Sequence, residues 1–392
     1  MDFGSQGAGD VLDRLNVADL LIVGAGFYGL TIAERAASRG FRVLVIDRRA
    51  HIGGNAHSLI DERTGIEIHQ YGPHIFHTNS RDVFDYLSGF TAWVPFELRV
   101  WSSANGQVYP MPINLATISL FLKRIMSPEA ARKWVASQAG TEGSLNSLED
   151  KAISLIGLPL YETFIKGYTL KQWQTDPRQL PADIITRLPV RYTFDNRYFN
   201  DEFQYMPRDG YAAIFQRMAA SSNIDIMTNV DWFDIRDHAQ DIPVLYTGPI
   251  DRFFDYEHGQ LGWRTLDFAW EHHPFDYQGC PIMNHPDEQV PWTRVTEYRH
   301  LHPERKYGNE TIISREFSRF AKPGDEPYYP INTAEDKHRF DTYKARAKDH
   351  PSVIFGGRLG TYRYLDMHQA VGAALKAAET DILPRLERRR AG

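Results

Sequence analysis

Cysteine is nearly absent: of 392 residues, only Cys280 carries a thiol. A lone thiol cannot build a disulfide framework, a C-x-x-C zinc site or a redox-active pair, which excludes electron relay through a protein disulfide. Basic charge is not in excess either. Lys and Arg number 44 against 50 Asp and Glu, a net charge of −6, and the pI is about 6.2. That balance gives no general attractive field for nucleic acid or an acidic membrane, so no nucleic-acid or membrane partner is expected. Phosphate chemistry must then rest on local arginines. No apolar run reaches the roughly 18 residues of a membrane span, and residues 1–10 have neither the basic start nor the apolar stretch of a signal peptide. The expectation is a cytoplasmic protein with a short mobile tail over residues 1–18.

What is present is apolar and aromatic, at 42% and 13% of the chain, enough for a large core shared among two or three domains. The most informative stretch is residues 20–58. Leu20-Leu-Ile-Val23 makes a buried-strand signal, and Gly24, Gly26 and Gly29, with Phe27 and Tyr28 between the last two, follow in G-x-G-x-x-G order before the helical run Leu30 to Arg39. One glycine allows the tight turn, one lets a pyrophosphate approach the backbone, and one lets the helix pack on the strand. A second strand, Val43 to Ile46, ends in Asp47, placed to hold a ribose hydroxyl pair. The site is therefore one for a dinucleotide. NADP would welcome Arg48 or Arg49 on its 2′-phosphate. The sequel Arg48-Arg-Ala-His-Ile-Gly53-Gly54-Asn55 instead resembles the extension in FAD proteins of the glutathione-reductase-like superfamily, and FAD is the expected cofactor.

Residues 57–68 read as a hairpin leading into Tyr71-Gly-Pro-His74-Ile-Phe-His77-Thr. His74 and His77 have H-x-x-H spacing, but no carboxylate or thiolate stands at ligand spacing, and Gly72-Pro73 breaks the helix that would align them. No metal is expected. A loop carrying imidazole and backbone groups to a cofactor face is expected instead. Residues 92–112 read as strands around an Asn105-Gly106 turn, residues 114–171 as helices, and residues 176–191, with three prolines, as a loop. Tyr161, Phe164 and Tyr168 form an aromatic stripe at helical spacing, which on pattern alone is more often core than a binding surface. Lys166, Gly167 and Thr169 interrupt its apolar character. Arg187 and Arg294 would individually read as solvated surface arginines, yet their guanidinium forks suit a diphosphate if folding brings them together.

Several blocks closely resemble the UDP-galactopyranose mutase family. They are Ile52-Gly-Gly-Asn-Ala-His, Tyr71-Gly-Pro-His-Ile-Phe-His-Thr, Lys166-Gly-Tyr-Thr-Leu-Lys-Gln-Trp173, Arg187-Leu-Pro-Val-Arg-Tyr-Thr-Phe-Asp-Asn196, Tyr246-Thr-Gly-Pro-Ile-Asp, Glu326-Pro-Tyr-Tyr-Pro330 and Phe355-Gly-Gly-Arg-Leu followed by Tyr364-Leu-Asp-Met. The resemblance runs from about Leu20 to Leu375. Residues 1–18 have no counterpart, and Met206-Pro-Arg-Asp-Gly-Tyr211 departs from the usual pattern without touching an expected site residue.

The resemblance implies an α/β protein: an FAD-binding Rossmann-like domain of the glutathione-reductase-like superfamily, with an inserted helical domain and an antiparallel sheet domain. Expected divisions are a tail 1–18, FAD-domain segments 19–90, 206–262 and 346–392, sheet-domain segments 91–113, 191–205 and 263–345, and a helical domain 114–190 with a mobile loop 176–191. It implies an isomerase interconverting UDP-galactopyranose and UDP-galactofuranose without net oxidation. Reduced flavin N5 acts as nucleophile, giving a flavin–sugar adduct and an iminium. Phe164 and Tyr168 would sandwich uracil, with Thr169, Trp173 and Asn284 serving the uridine. Arg187 and Arg294 would hold the diphosphate. Tyr198, Tyr329, Tyr364 and Asp366 would line the phosphate and galactose pocket. His74 would sit against the isoalloxazine, Arg358 at the FAD diphosphate, and the helix at Asp366-Met367 would aim its positive end at the flavin. Gly24, Gly26, Phe27, Tyr28, Gly29, Asp47, Arg48, Gly54 and Asn55 complete the expected cofactor site. The Arg187 loop would close over UDP. A cellular flavin reductant and a homo-oligomer are further expectations. Two alternatives share the N-terminal motif: an oxidoreductase of the amine oxidase or desaturase type, and a nucleotide-sugar-binding protein with structural FAD.

Overall fold

A computed structural model describes residues 5–139, 146–185 and 190–391. Its central strand, Leu20–Val23, sends alternate side chains into two cores. Leu20 and Ile22 join Leu30 and Ala33 of the Phe27–Ser38 helix, while Leu21 joins Leu44, Ile46 and Val244 on the other side. A strand covered on both faces reads as an unbroken apolar run, as it does here. Around it lie five parallel strands in the order Ile224–Thr228, Val43–Asp47, Leu20–Val23, Val244–Tyr246 and Val353–Phe355. A parallel sheet brings the carboxyl ends of its strands to one edge, where ligands of such folds bind.

The second face is closed in part by the Ser5–Val17 helix, which buries Val11 and Leu15 in that cluster, while Arg14 reaches Asp225 at 2.6 Å. Where a mobile tail was expected, the structure has a packed helix. Its signal is the i, i+4 pair Val11 and Leu15, each gaining roughly 1.5–3 kcal/mol on burial.

A seven-stranded sheet runs Tyr329–Pro330, Trp263–Pro274, Glu310–Phe320, Arg294–Glu297, Ile282–Asn284, Val100–Ala104 and Gln107–Met111. It is antiparallel except where Ile282–Asn284 meets Val100–Ala104. The Asn105-Gly106 turn has positive φ at both residues, 51° and 73°, as a tight hairpin of this kind requires. Trp93–Pro95 and Phe203–Pro207 do not join that sheet; with Phe76–Thr78 they form a three-stranded sheet. Strand pattern says that a segment is extended, not which edge it meets. The helices between Leu115 and Trp173 pack beside the seven-stranded sheet, through contacts such as Tyr109 on Phe164. Among the described residues, no helix is long and apolar enough to cross a membrane.

Candidate active site

The site begins at the turn after Leu20–Val23. Gly24 has φ +108°, and a Cβ there would lie 2.0 Å from Thr247 Oγ1. A Cβ on Gly29 would meet the Gly24 carbonyl oxygen at 2.0 Å, so strand and helix pack through these glycines. Gly26 differs: its Cβ would meet only Gly54 Cα, at 3.7 Å, leaving open space above the turn. Gly26 also caps the Phe27–Ser38 helix without a side-chain hydrogen bond, and that helix has no acidic residue in its first turn. An uncapped helix start beside open space is a cradle for a diphosphate. Asp47 accepts from the Ala25 and Arg49 amides, both at 2.9 Å, which fixes its carboxylate at the strand end.

A groove of about 210 Å³ follows this turn, lined by Gly24, Gly26, Phe27, Tyr28, Gly29, Asp47, Arg48, Gly54, Asn55, His74, Arg358 and Met367, among others. Arg48 and Arg49 both reach Glu326, Arg48 at 2.5 Å, and Arg49 also donates to Asn55 Oδ1 at 2.8 Å. A carboxylate already holding both arginines repels a 2′-phosphate, so the donor set fits FAD or NAD better than NADP.

Next to the groove is a cavity of about 250 Å³ with Tyr168, Tyr198, Asn284, Arg294, Tyr329, Tyr364 and Asp366 in its walls. Asn55, His74, Arg358 and Met367 line both spaces, so groove and cavity meet at these four residues. Sheet register explains much of the cavity. Asn284 pairs with Arg294, and Arg294 with Glu316, on three adjacent strands, so the three form one row across the sheet. Arg294 Nε lies 3.3 Å from Glu316 Oε2, an ion pair not aligned as a hydrogen bond, and Arg294 donates to the Tyr168 hydroxyl at 3.0 Å. Burial opposes charge on Arg294, but Glu316 together with the oxygens of Tyr168, Tyr329 and Tyr198 outweighs this and holds its pKa above the ordinary value. Burial raises the Tyr168 and Tyr329 phenols, which remain neutral donors.

His74 is pushed down to about 4 by burial, partly offset by its Nδ1 contact with the Gly72 carbonyl at 2.7 Å, with Arg358 lowering it further. Its imidazole is neutral at physiological pH. The His74 amide donates to His69 Nδ1 at 2.9 Å, and burial pushes His69 down to about 3. His77 does not join His74; its Nδ1 lies 2.6 Å from Asp201, and its ring stacks on Phe199 at 3.6 Å. The donor atoms of His77, Asp366 and His368 lie within 4.8 Å of one another at the cavity wall. The Met367–Ala377 helix starts there, with Asp366 as its N-cap.

Other expected site residues stand elsewhere. Phe164 is 3% exposed, edge-on to Tyr109 at 4.9 Å, and does not line the cavity. Thr169 is buried and Trp173 packs against the core, both outside the cavity wall. The Arg358 guanidinium donates to the Tyr328 and Leu365 carbonyls, at 3.0 and 2.5 Å, at the junction of the two spaces. Arg187, and the loop closure expected of it, lie outside the described residues.

Comparison with known proteins relates the chain to one enzyme family and one fold. The sequence model of a family described as UDP-galactopyranose mutase matches residues 163–364, just over half the chain, and one for an NAD(P)-binding Rossmann-like domain matches residues 22–90. A probable UDP-galactopyranose mutase of Klebsiella pneumoniae is 41% identical over 369 residues, 93% of this chain and 95% of that protein. The chain belongs to the UDP-galactopyranose mutase family. A dTDP-fucopyranose mutase of Escherichia coli is 40% identical over 367 residues, covering 92% of this chain and 97% of its own. The crystal structure of a reduced UDP-galactopyranose mutase shares the fold of this mutase-family chain with a TM-score of 0.70, at 15% identity and covering 94% of each chain. A putrescine oxidase variant shares it with a TM-score of 0.57, at 12% identity, covering 94% of this chain and 99% of that one.

Some mutase-family site features escaped sequence reasoning. Glu316 is 2% exposed and pairs with Arg294, but its place follows from a strand register no local motif encodes. Thr247, which donates to the Val23 carbonyl at 2.7 Å and closes over Gly24, did have a signal, in the Tyr246-Thr-Gly-Pro block. So did Glu326, which opens the Glu326-Pro-Tyr-Tyr-Pro block and pairs with Arg48 and Arg49.

Proposed function

We propose that this chain interconverts UDP-galactopyranose and UDP-galactofuranose on reduced FAD. The observation that supports this most is the junction at Asn55, His74, Arg358 and Met367, where a dinucleotide groove opens into a polar cavity carrying an arginine. FAD would lie along the glycine turn with its ribose at Asp47 and its diphosphate at the uncapped helix start, and its ring at the junction. When bound, it would supply the nucleophile for the anomeric carbon of the sugar. Arg294 holds the substrate diphosphate and stabilises UDP as it departs, with its charge kept in place by Glu316. Tyr168 and Tyr329, kept neutral by burial, orient phosphate and sugar together with Tyr364. His74, held neutral, presents an imidazole to the flavin face without a competing cation. The start of the Met367–Ala377 helix directs its positive end toward the junction and favours negative charge there. The same reading places the enzyme in the cytoplasm, fed by a cellular flavin reductant, as a homo-oligomer.

A second reading is favoured by one observation: a dTDP-fucopyranose mutase is 40% identical, almost as close as the Klebsiella pneumoniae relative. The two substrates differ at the pyrimidine methyl, the ribose 2′-hydroxyl and the sugar C6 hydroxyl. Matched turnover assays of UDP-galactofuranose and dTDP-fucofuranose with flavin-reduced enzyme test the choice. A higher kcat/KM for the uridine sugar supports the proposal, and a higher value for the thymidine sugar transfers it to the second reading.

A further inference from the structure

We propose that Lys171 is a positioning residue for the nucleotide side of the cavity, acting through the hairpin loop that joins Asn284 to Arg294. This rests on the functional reading above. The Lys171 ammonium is bound by four main-chain carbonyls of that loop: His285, Asp287 at 2.9 Å, Val290 at 2.9 Å and Trp292 at 3.1 Å. A lysine has three N–H donors, so four carbonyls around it form a filled nest, with one donor shared. The loop folds around this cation, and both of its ends are cavity residues, paired across the strands Ile282–Asn284 and Arg294–Glu297.

Two other contacts place the same helix against the same hairpin. Tyr168, one turn before Lys171, accepts the hydrogen bond from Arg294 at 3.0 Å. A Cβ on Gly167 would lie 2.2 Å from the Pro286 carbonyl oxygen, so helix backbone and loop backbone are in close contact there. On its far side the loop is tied down by Asp287, whose carboxylate accepts from the Asn105 amide at 3.0 and 3.2 Å. Lys171 does not line the cavity. Its role is to fix the distance between Tyr168 on the helix and the Asn284–Arg294 pair on the sheet, and misplacement of such groups by about 1 Å can cost on the order of 100-fold.

The test uses the FAD-loaded enzyme and two variants that disturb the contact differently. Lys171→Met removes the cation and its donors; Gly167→Ala keeps the lysine and pushes the loop away. UDP binding by oxidised enzyme is measured alongside kcat and KM of reduced enzyme. Both variants are expected to keep the flavin spectrum, weaken UDP binding about ten-fold or more, and lose kcat/KM through KM more than through kcat. Should Lys171→Met yield no folded holoenzyme, Gly167→Ala decides. Wild-type UDP affinity in either folded variant, or a loss confined to kcat, overturns the proposal alone. A wild-type enzyme that binds no UDP overturns the functional reading and this proposal with it.

Discussion

Replacing Arg294 has two separable consequences. Glu316 is 2% exposed, and besides Arg294 its carboxylate has the Thr293 hydroxyl at 3.4 Å. In Arg294→Ala the carboxylate is left buried without a cation. Breaking a fully buried pair by removing one partner costs about 3–5 kcal/mol. The Arg294 side chain is 26% exposed, so water reaches one end of the pair. That lowers the expected loss to about 2–3 kcal/mol. On the proposed function, the second consequence is loss of a charge-assisted bond to the substrate diphosphate, about 1.5–3 kcal/mol or roughly ten- to hundred-fold in affinity. Arg294→Lys keeps the charge but not the fork, so its activity should fall far below wild type yet exceed that of Arg294→Ala. The double variant Arg294→Ala with Glu316→Gln separates the effects. It should recover at least half the lost stability in chemical denaturation of the holoenzyme, and none of the lost UDP-sugar binding. If the double variant is as unstable as Arg294→Ala, the ion-pair argument is wrong; if it binds UDP-sugar like wild type, Arg294 is not a diphosphate ligand.

The remaining predictions concern cofactor, acid stability and the cavity wall. Gly29→Ala puts a methyl 2.0 Å from the Gly24 carbonyl oxygen and should yield protein purified largely without flavin, read from its visible absorbance; full occupancy would remove the glycine turn from the cofactor site. His69 and His74, pushed down to about 3 and about 4, are neutral when folded but take up protons on unfolding below their ordinary pKa of 6.5. Their contribution is fully present above pH 6.5 and is lost as pH falls toward 4, with an unfolding uptake approaching two protons in that window. A flat stability profile from pH 6.5 to 4.5 would refute it. Tyr168→Phe removes one hydrogen bond to Arg294 and should weaken UDP binding about three- to ten-fold, for a net 0.5–1.5 kcal/mol; an unchanged Kd would show that the hydroxyl does not hold Arg294 in place.

The cofactor turn was legible because its signals are local: Gly24, Gly26, Gly29 and Asp47 act through backbone geometry that neighbouring residues fix. The cavity was legible only as separate residues. Arg294 and Glu316 lie on neighbouring strands, and only the register of the short Arg294–Glu297 strand against Glu310–Phe320 sets them opposite one another. The aromatic stripe shows a different limit. Tyr161–Lys166 forms a π-helical turn, wider than an α-turn, before the Gly167–Trp173 α-helix begins. That change of pitch shifts the helical phase, so Tyr161 and Phe164 face the core while Tyr168 reaches the cavity. A constant 3.6-residue period applied across the junction puts all three on one face.

The central claim is isomerisation that requires reduced flavin without consuming it. The direct measurement is to incubate the purified holoenzyme with UDP-galactofuranose, once after dithionite reduction and once with oxidised flavin, and to separate the products by chromatography. The account predicts UDP-galactopyranose in the reduced sample only. UDP binding without conversion in either sample would contradict it and leave a nucleotide-sugar-binding protein in its place.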